Sequence, residues 1–198
     1  MAKKTHKTLF FDFETTGLNP FHEKIIDYCF ICEEDGTLVE NLVNPNSKLS
    51  DKIKEITHLT DSDLQDKLPI QEHIDILRNT IQNNNDTVEN KTYLIAHNCD
   101  GFDKHFLNEL HKKYNISSNM VFMDTLLLAK KFIPDQYSFS LKSLCKRFGI
   151  TPGTHRAKSD TVALQKLYHR ILRIIESKSN LTYEQMLTNP DIVYNLIY

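Results

Sequence analysis

The sequence predicts a mixed α/β layer fold, and three observations carry that expectation. Apolar runs of strand length come first, at residues 8–18, 24–33 and 37–43. Strand and helix patterns then alternate, from a strand at 92–98 to a long helix over about 158–177. No internal repeat and no linker interrupts the 198 residues, so one domain over 1–198 with a proper core is expected.

The first strand is TLFFDFETTGL. Leu9, Phe11 and Phe13 alternate with Phe10, Asp12 and Glu14. Successive side chains of a strand point to opposite faces, so one face is apolar and the other ends in two carboxylates. Apolar residues on both faces mark a central strand covered on both sides. Two further strands follow around the turn Glu34-Asp35-Gly36, then a loop at Asn44-Pro45-Asn46. Helical spacing runs from Ser50 to about Gln82, and NNNDTVENK (83–91), polar and without period, reads as a surface loop. TYLIAHN (92–98) is a buried strand, 102–114 a helix, and Val121-Phe122 a short strand. Asp124 caps a helix through about Phe132, and SLKSLCKRF is a short amphipathic helix ended by Gly149. In the tail, Thr182 and Gln185 have the spacing of a capping box.

Composition narrows the function. At 40% hydrophobic and 25% charged the chain is ordinary globular protein. No run approaches the ~18 apolar residues of a membrane span. MAKKTHK has no apolar segment behind it, so the protein is expected to be intracellular, cytoplasmic or nuclear, and not secreted. Cys29 and Cys32 form half of a zinc knuckle with no second half, and they fall in a strand where residues three apart face opposite sides. They read as core cysteines of a reduced protein. A net charge of −2 argues against a broad basic face coating long nucleic acid, but leaves room for a small site gripping one strand end.

Two more acids share a pattern. Asp103 is followed by Leu107, Leu110 and Tyr114, and Asp160 by Leu164, Leu167 and Ile171, at the same offsets. Each acid starts the apolar stripe of its helix and points toward the core. First-turn acids are favoured by the helix dipole alone, yet four inward carboxylates without compensation are costly to bury. No lysine or arginine falls at a matching inward position, so a metal centre accounts for them, and hard oxygen ligands suit Mg²⁺ or Mn²⁺. His155 lies just before the helix of Asp160, and a histidine neutral near pH 7 accepts a proton from water.

FDFETTGL, AHNCDGFDKHFL and HRAKSDTVAL resemble, in order, the three motifs of the DnaQ-like (DEDDh) 3′→5′ exonucleases, among them the proofreading exonucleases of bacterial replicative polymerases. The intervening NPNSKLSDKIKEITHLTDSDL, MDTLLLAKKF and LKSLCKRFGI are similar too, so the resemblance spans about residues 8–172, with 173–198 as a helical tail. It implies a ribonuclease H-like mixed β-sheet flanked by helices. It implies that Asp12, Glu14, Asp103 and Asp160 hold two Mg²⁺ or Mn²⁺ ions, with His155 as general base. Thr15, Thr16, Gly17 and Leu18 would line the pocket of the terminal nucleotide, and His97, Asn98 and Phe102 would shape it. The second motif has three residues, Cys99-Asp100-Gly101, between Asn98 and Phe102-Asp103, where many relatives have two and the three-prime repair exonucleases have three. Asp100 is thus a rival ligand, and Asp103 is preferred for its inward stripe.

The reading is a metal-dependent 3′→5′ exonuclease releasing nucleoside 5′-monophosphates from single-stranded DNA, alone or beside a DNA polymerase. The alternatives are an RNA 3′-end trimming, oligoribonuclease-like enzyme and an inactive module that binds strand ends or a polymerase. Lys142, Lys146, Arg147, Arg156 and Lys158, the densest basic stretch, are the expected backbone contacts.

Overall fold

The computed structural model describes residues 6–82, 90–117 and 119–198. The expected loop at 83–91 falls mostly outside them. Five strands form one sheet in the order β3-β2-β1-β4-β5. They are β1 (Lys7–Thr15), β2 (Ile25–Cys32), β3 (Leu38–Leu42), β4 (Thr92–Ala96) and β5 (Met120–Asp124). β2 runs antiparallel to β1 and β3, whereas β1, β4 and β5 are parallel. The sheet is mixed, as expected, and β1 is its middle strand.

Alternation along β1 sets the two faces. Phe11 and Phe13 pack with Phe30 of β2, the Phe11 and Phe30 rings stacking at 5.6 Å. Phe10 points the other way, onto Tyr168 at 5.3 Å in the long helix α7 (Ala157–Lys178). Every residue of β2 is buried, and each such Phe or Ile contributes about 1.5–3 kcal/mol relative to exposure. Asp12 and Glu14 follow Phe10 on the α7 face, so the metal-type acids look toward that helix.

The helical stretch after Ser50 is broken into pieces by its own caps. Ser50 caps α1 (Asp51–Thr57), and Thr60 with Asp63 forms a capping box on α2 (Asp61–Leu64). A 3-10 turn at Ile70–His73, entered from Pro69, leads into α3 (Ile74–Ile81). The strand at 92–98 is shorter than its apolar pattern: β4 ends at Ala96, because Asn98 turns the chain with φ +65°. The strand around Val121 is longer than expected, gaining its ends from pairing with β4. After α4 (Asp103–Tyr114) come α5 (Thr125–Phe132), capped by Asp124, and α6 (Leu141–Arg147), capped by Ser140. The Thr182–Gln185 capping box opens α8 (Tyr183–Thr188), and α9 (Pro190–Ile197) closes the described chain. Among the described residues no helix is long and apolar enough to cross a membrane.

Candidate active site

Three elements bring their ends together where β1 finishes. Asp12 and Glu14 come from β1, Asp103 from the first turn of α4, and Asp160 from the first turn of α7. A cavity of about 440 Å³ is lined by all four, with Leu18, Asn98, Phe102 and His155 on its wall. Oxygens of Asp12, Glu14 and Asp160 lie within 4.8 Å of one another. Asp103 is 3% exposed and sits to one side, accepting a hydrogen bond from the Phe13 N–H at 3.2 Å. That N–H is available because the pairing of β1 with β4 stops at Phe10.

The electrostatics fit a cation. Burial first, then Asp103, Glu14 and Asp160, hold the Asp12 carboxyl well above its usual range. Burial, then Asp160, Asp27 and Asp103, push Glu14 up to about 8. Asp103 is raised by burial, with the Phe13 N–H opposing, and Asp160 by burial, with the Arg156 N–H and His155 opposing. Carboxyls crowded and buried in this way lose their protons more readily when positive charge enters. An all-oxygen donor set of this kind suits Mg²⁺ or Mn²⁺, so the residues present fit a divalent ion.

No lysine or arginine was expected at an inward helical position near the acids, and the cation that does come near reaches them from before α7. The Arg156 Nε donates to Asp27 at 2.9 Å, and its charge lowers Glu14. The reason is reach: Arg156 precedes α7, and its long side chain folds back onto β2 where helical spacing gives no sign of it. Two of the five expected grip residues are therefore engaged by acids, Arg156 by Asp27 and Lys158 by Glu40 at 2.7 Å. Arg147 is held by Gln136 at 2.7 Å, while Lys142 and Lys146 are exposed.

His155 stands exposed at the cavity rim, immediately before the start of α7. Of the residues expected on the nucleotide pocket, Leu18 is on the cavity wall and 82% exposed. Thr15, Thr16 and Gly17 bond within their own loop: the Thr15 hydroxyl donates to the Gly17 carbonyl at 2.5 Å and the Thr16 hydroxyl to Glu23. His97 is fixed between Thr125 Oγ1 at 2.9 Å and the Phe139 carbonyl at 2.8 Å. A carbonyl only accepts, so Nε2 carries a proton, and burial keeps the ring neutral. The Phe102 ring packs tilted against Phe106, with centroids 5.1 Å apart, giving the cavity an apolar wall.

Asp100 points away from the acids. Its carboxylate accepts from Lys104 at 2.9 Å and the Tyr198 hydroxyl at 2.6 Å. Burial acts to raise it, but Tyr198 and Lys104 hold it below the usual range. Asp124 does more than cap α5. Its Oδ1 also accepts from the Asn98 N–H at 2.9 Å and its Oδ2 from the Asp100 N–H at 3.1 Å, fixing the turn that delivers Asp103. Sequence pattern showed the cap and missed the second role, since a partner 26 residues away leaves no local signal. The two cysteines of the apparent half-knuckle are buried free thiols in β2, with burial pushing Cys29 up to about 12 and Cys32 to about 11.

The model of the Exonuclease family (RNase T) matches residues 9–168. The PolC-type DNA polymerase III of Bacillus subtilis (strain 168) is 32% identical over 186 residues, 90% of this chain and 12% of the polymerase. That of Staphylococcus saprophyticus is 31% identical over 180 residues, 88% of this chain and again 12% of the relative. The chain thus spans about an eighth of the length of these relatives. Among solved structures, a zinc-bound complex of E. coli exonuclease I with single-stranded DNA superposes with a TM-score of 0.73 at 16% identity, over 93% of this chain and 43% of that one. At that identity the likeness is one of fold.

Proposed function

The chain belongs to the Exonuclease (RNase T) family, and on that premise we propose that it is a metal-dependent 3′→5′ exonuclease trimming single-stranded DNA to nucleoside 5′-monophosphates. The observation that carries the reading is the meeting of Asp12, Glu14 and Asp160 within 4.8 Å, with buried Asp103 and the histidine His155 on the same cavity. Asp12, Glu14, Asp103 and Asp160 would hold two divalent ions. The chemistry such ions would supply there is stabilisation of the charge that develops on the attacking and leaving oxygens.

The chain's own groups do the rest. Leu18 and Phe102 offer apolar surface to the terminal base, and base–aromatic stacking is worth about 1–3 kcal/mol. His155, exposed on the rim, takes the proton of a water as its oxygen bonds to the terminal phosphorus. The bond from phosphorus to the 3′-oxygen of the preceding nucleotide breaks, and the mononucleotide departs with its 5′-phosphate. The matched relatives are DNA polymerases, which supports DNA as the substrate and a polymerase as a partner.

The test is hydrolysis of 3′-labelled and 5′-labelled single strands, DNA and RNA side by side, with and without Mg²⁺. The proposal expects label released first from the 3′ end of DNA and only with the metal. Preference for RNA would move the assignment to an exoribonuclease, and release from the 5′ end would contradict it.

A further inference from the structure

β2 carries a carboxylate that belongs to no expected ligand set. Asp27 stands opposite Glu14 in the β1–β2 register, on the face that looks toward α7, and its side chain is 7% exposed. Its Oδ2 accepts from Arg156 Nε at 2.9 Å and from the Ala157 N–H at 3.3 Å. Arg156 is gripped from the other side as well, because its own N–H donates to Asp160 Oδ2 at 3.0 Å. The preceding residue, His155, holds φ at +55°. That left-handed conformation is unfavourable for a residue with a Cβ and persists where the surroundings impose it.

We propose that Asp27 is a positioning residue for hydrolysis: through Arg156 and the first N–H of α7, it sets the orientation of both His155 and Asp160. The inference rests on the exonuclease reading of the site. Asp27 is not in the group of acids whose oxygens converge, and the cation it meets is a guanidinium. Stability does not explain the arrangement. An Arg–Asp pair with the arginine 42% exposed contributes little net energy, and a well-packed apolar pair would serve a core as well. What the pair adds is direction. Oδ2 ties the end of α7 to the strand next to β1, so the loop bearing the base and the helix bearing a ligand are registered against Asp12 and Glu14.

The experiment compares Asp27→Ala and Asp27→Asn in the full chain, with Arg156→Lys as a third variant. The readouts are kcat and KM on a 3′-labelled oligonucleotide with Mg²⁺, Mn²⁺ binding by calorimetry without substrate, and the His155 imidazole resonances by NMR. Asp27→Ala is expected to lower kcat by about 10–100-fold, the scale of a misplacement of an ångström. Its KM should stay within about threefold, its Mn²⁺ affinity should weaken but far less than on loss of a ligand as in Asp12→Ala, and its His155 resonances should move. Asp27→Asn keeps an oxygen for Arg156 and should recover most of kcat. Arg156→Lys keeps charge without the Nε geometry, should resemble Asp27→Ala, and carries the test if that variant does not fold. The proposal is overturned if kcat and the resonances are unchanged in Asp27→Ala, if Mn²⁺ affinity collapses as for a ligand, or if Asp27→Asn is as impaired as Asp27→Ala. An inactive native chain would defeat the exonuclease reading instead, while the His155 resonances would still decide the positioning.

Discussion

Gly153 lies against Asp160 so closely that a Cβ on it would overlap the Asp160 carboxylate and stand 2.8 Å from the Asp160 Cα. The second of these is backbone and cannot swing aside. Gly153→Ala should therefore push the first turn of α7 away from β1 and spoil the convergence of Asp160 with Asp12 and Glu14. An activity loss of about 100-fold, the cost of an ångström of misplacement, is expected together with weaker Mn²⁺ binding. Calorimetric titration beside a rate measurement checks both, and native-like values would show that the loop yields without disturbing Asp160.

Stability of the metal-free protein should fall as pH rises. Glu14 has a folded-state value of about 8 against an ordinary 4.5, and Asp12 is raised as well. An acid raised on folding contributes fully below its unfolded value, and that contribution is lost as pH climbs through the folded one. In EDTA, Tm should drop between about pH 5 and 8, and Mg²⁺ or Mn²⁺ should restore it most at the upper end, because binding releases the protons. Thermal melts across that window with and without metal are the check. A flat profile in EDTA would mean the acids are less crowded than their geometry indicates.

The odd spacing of the second motif separates two neighbouring acids. Asp103→Asn should abolish turnover, whereas Asp100→Asn should keep most of it and give up only the charge that pairs with Lys104 and one of the two acceptors used by Lys104 and Tyr198. Single-turnover rates of the two variants decide it, and the reverse ranking would move the ligand to Asp100.

With Arg156 and Lys158 engaged by acids, strand grip along this segment is expected to fall to exposed Lys142 and Lys146. Replacing both by alanine should flatten the dependence of log affinity on log salt by up to about 0.7 for each phosphate no longer neutralised. Binding of a labelled oligonucleotide in Ca²⁺ at several salt concentrations measures the slope. An unchanged slope would assign the grip elsewhere.

The sheet and the four acids were legible because both rest on short periods. Alternation placed Asp12 and Glu14 on one face, and the stripes from Asp103 and Asp160 turned them inward. What stayed hidden depends on distant partners. Arg156 and Asp27 are 129 residues apart and Gly153 acts only through its nearness to Asp160, so no local pattern announces either. Helical spacing from Ser50 to about Gln82 marked a helical stretch but not its breaks, since that spacing continues across caps such as Thr60 and a 3-10 entry at Pro69. The expected pocket role of Thr15, Thr16 and Gly17 rested on likeness alone. In the structure the Thr15 and Thr16 hydroxyls bond to Gly17 and Glu23 in the loop that carries Leu18.

The central claim is a division of labour between carboxylates that hold metal and a histidine that moves a proton. Mn²⁺ titration of His155→Ala against Asp12→Ala, with rates measured on the same samples, tests it most directly. His155→Ala should lose about 10²–10⁴ in rate, the usual contribution of a general base, while binding Mn²⁺ and strand ends nearly as the native protein does. Asp12→Ala should lose both turnover and tight metal binding. If His155→Ala loses Mn²⁺ as badly as Asp12→Ala, the histidine is a ligand and the division does not exist.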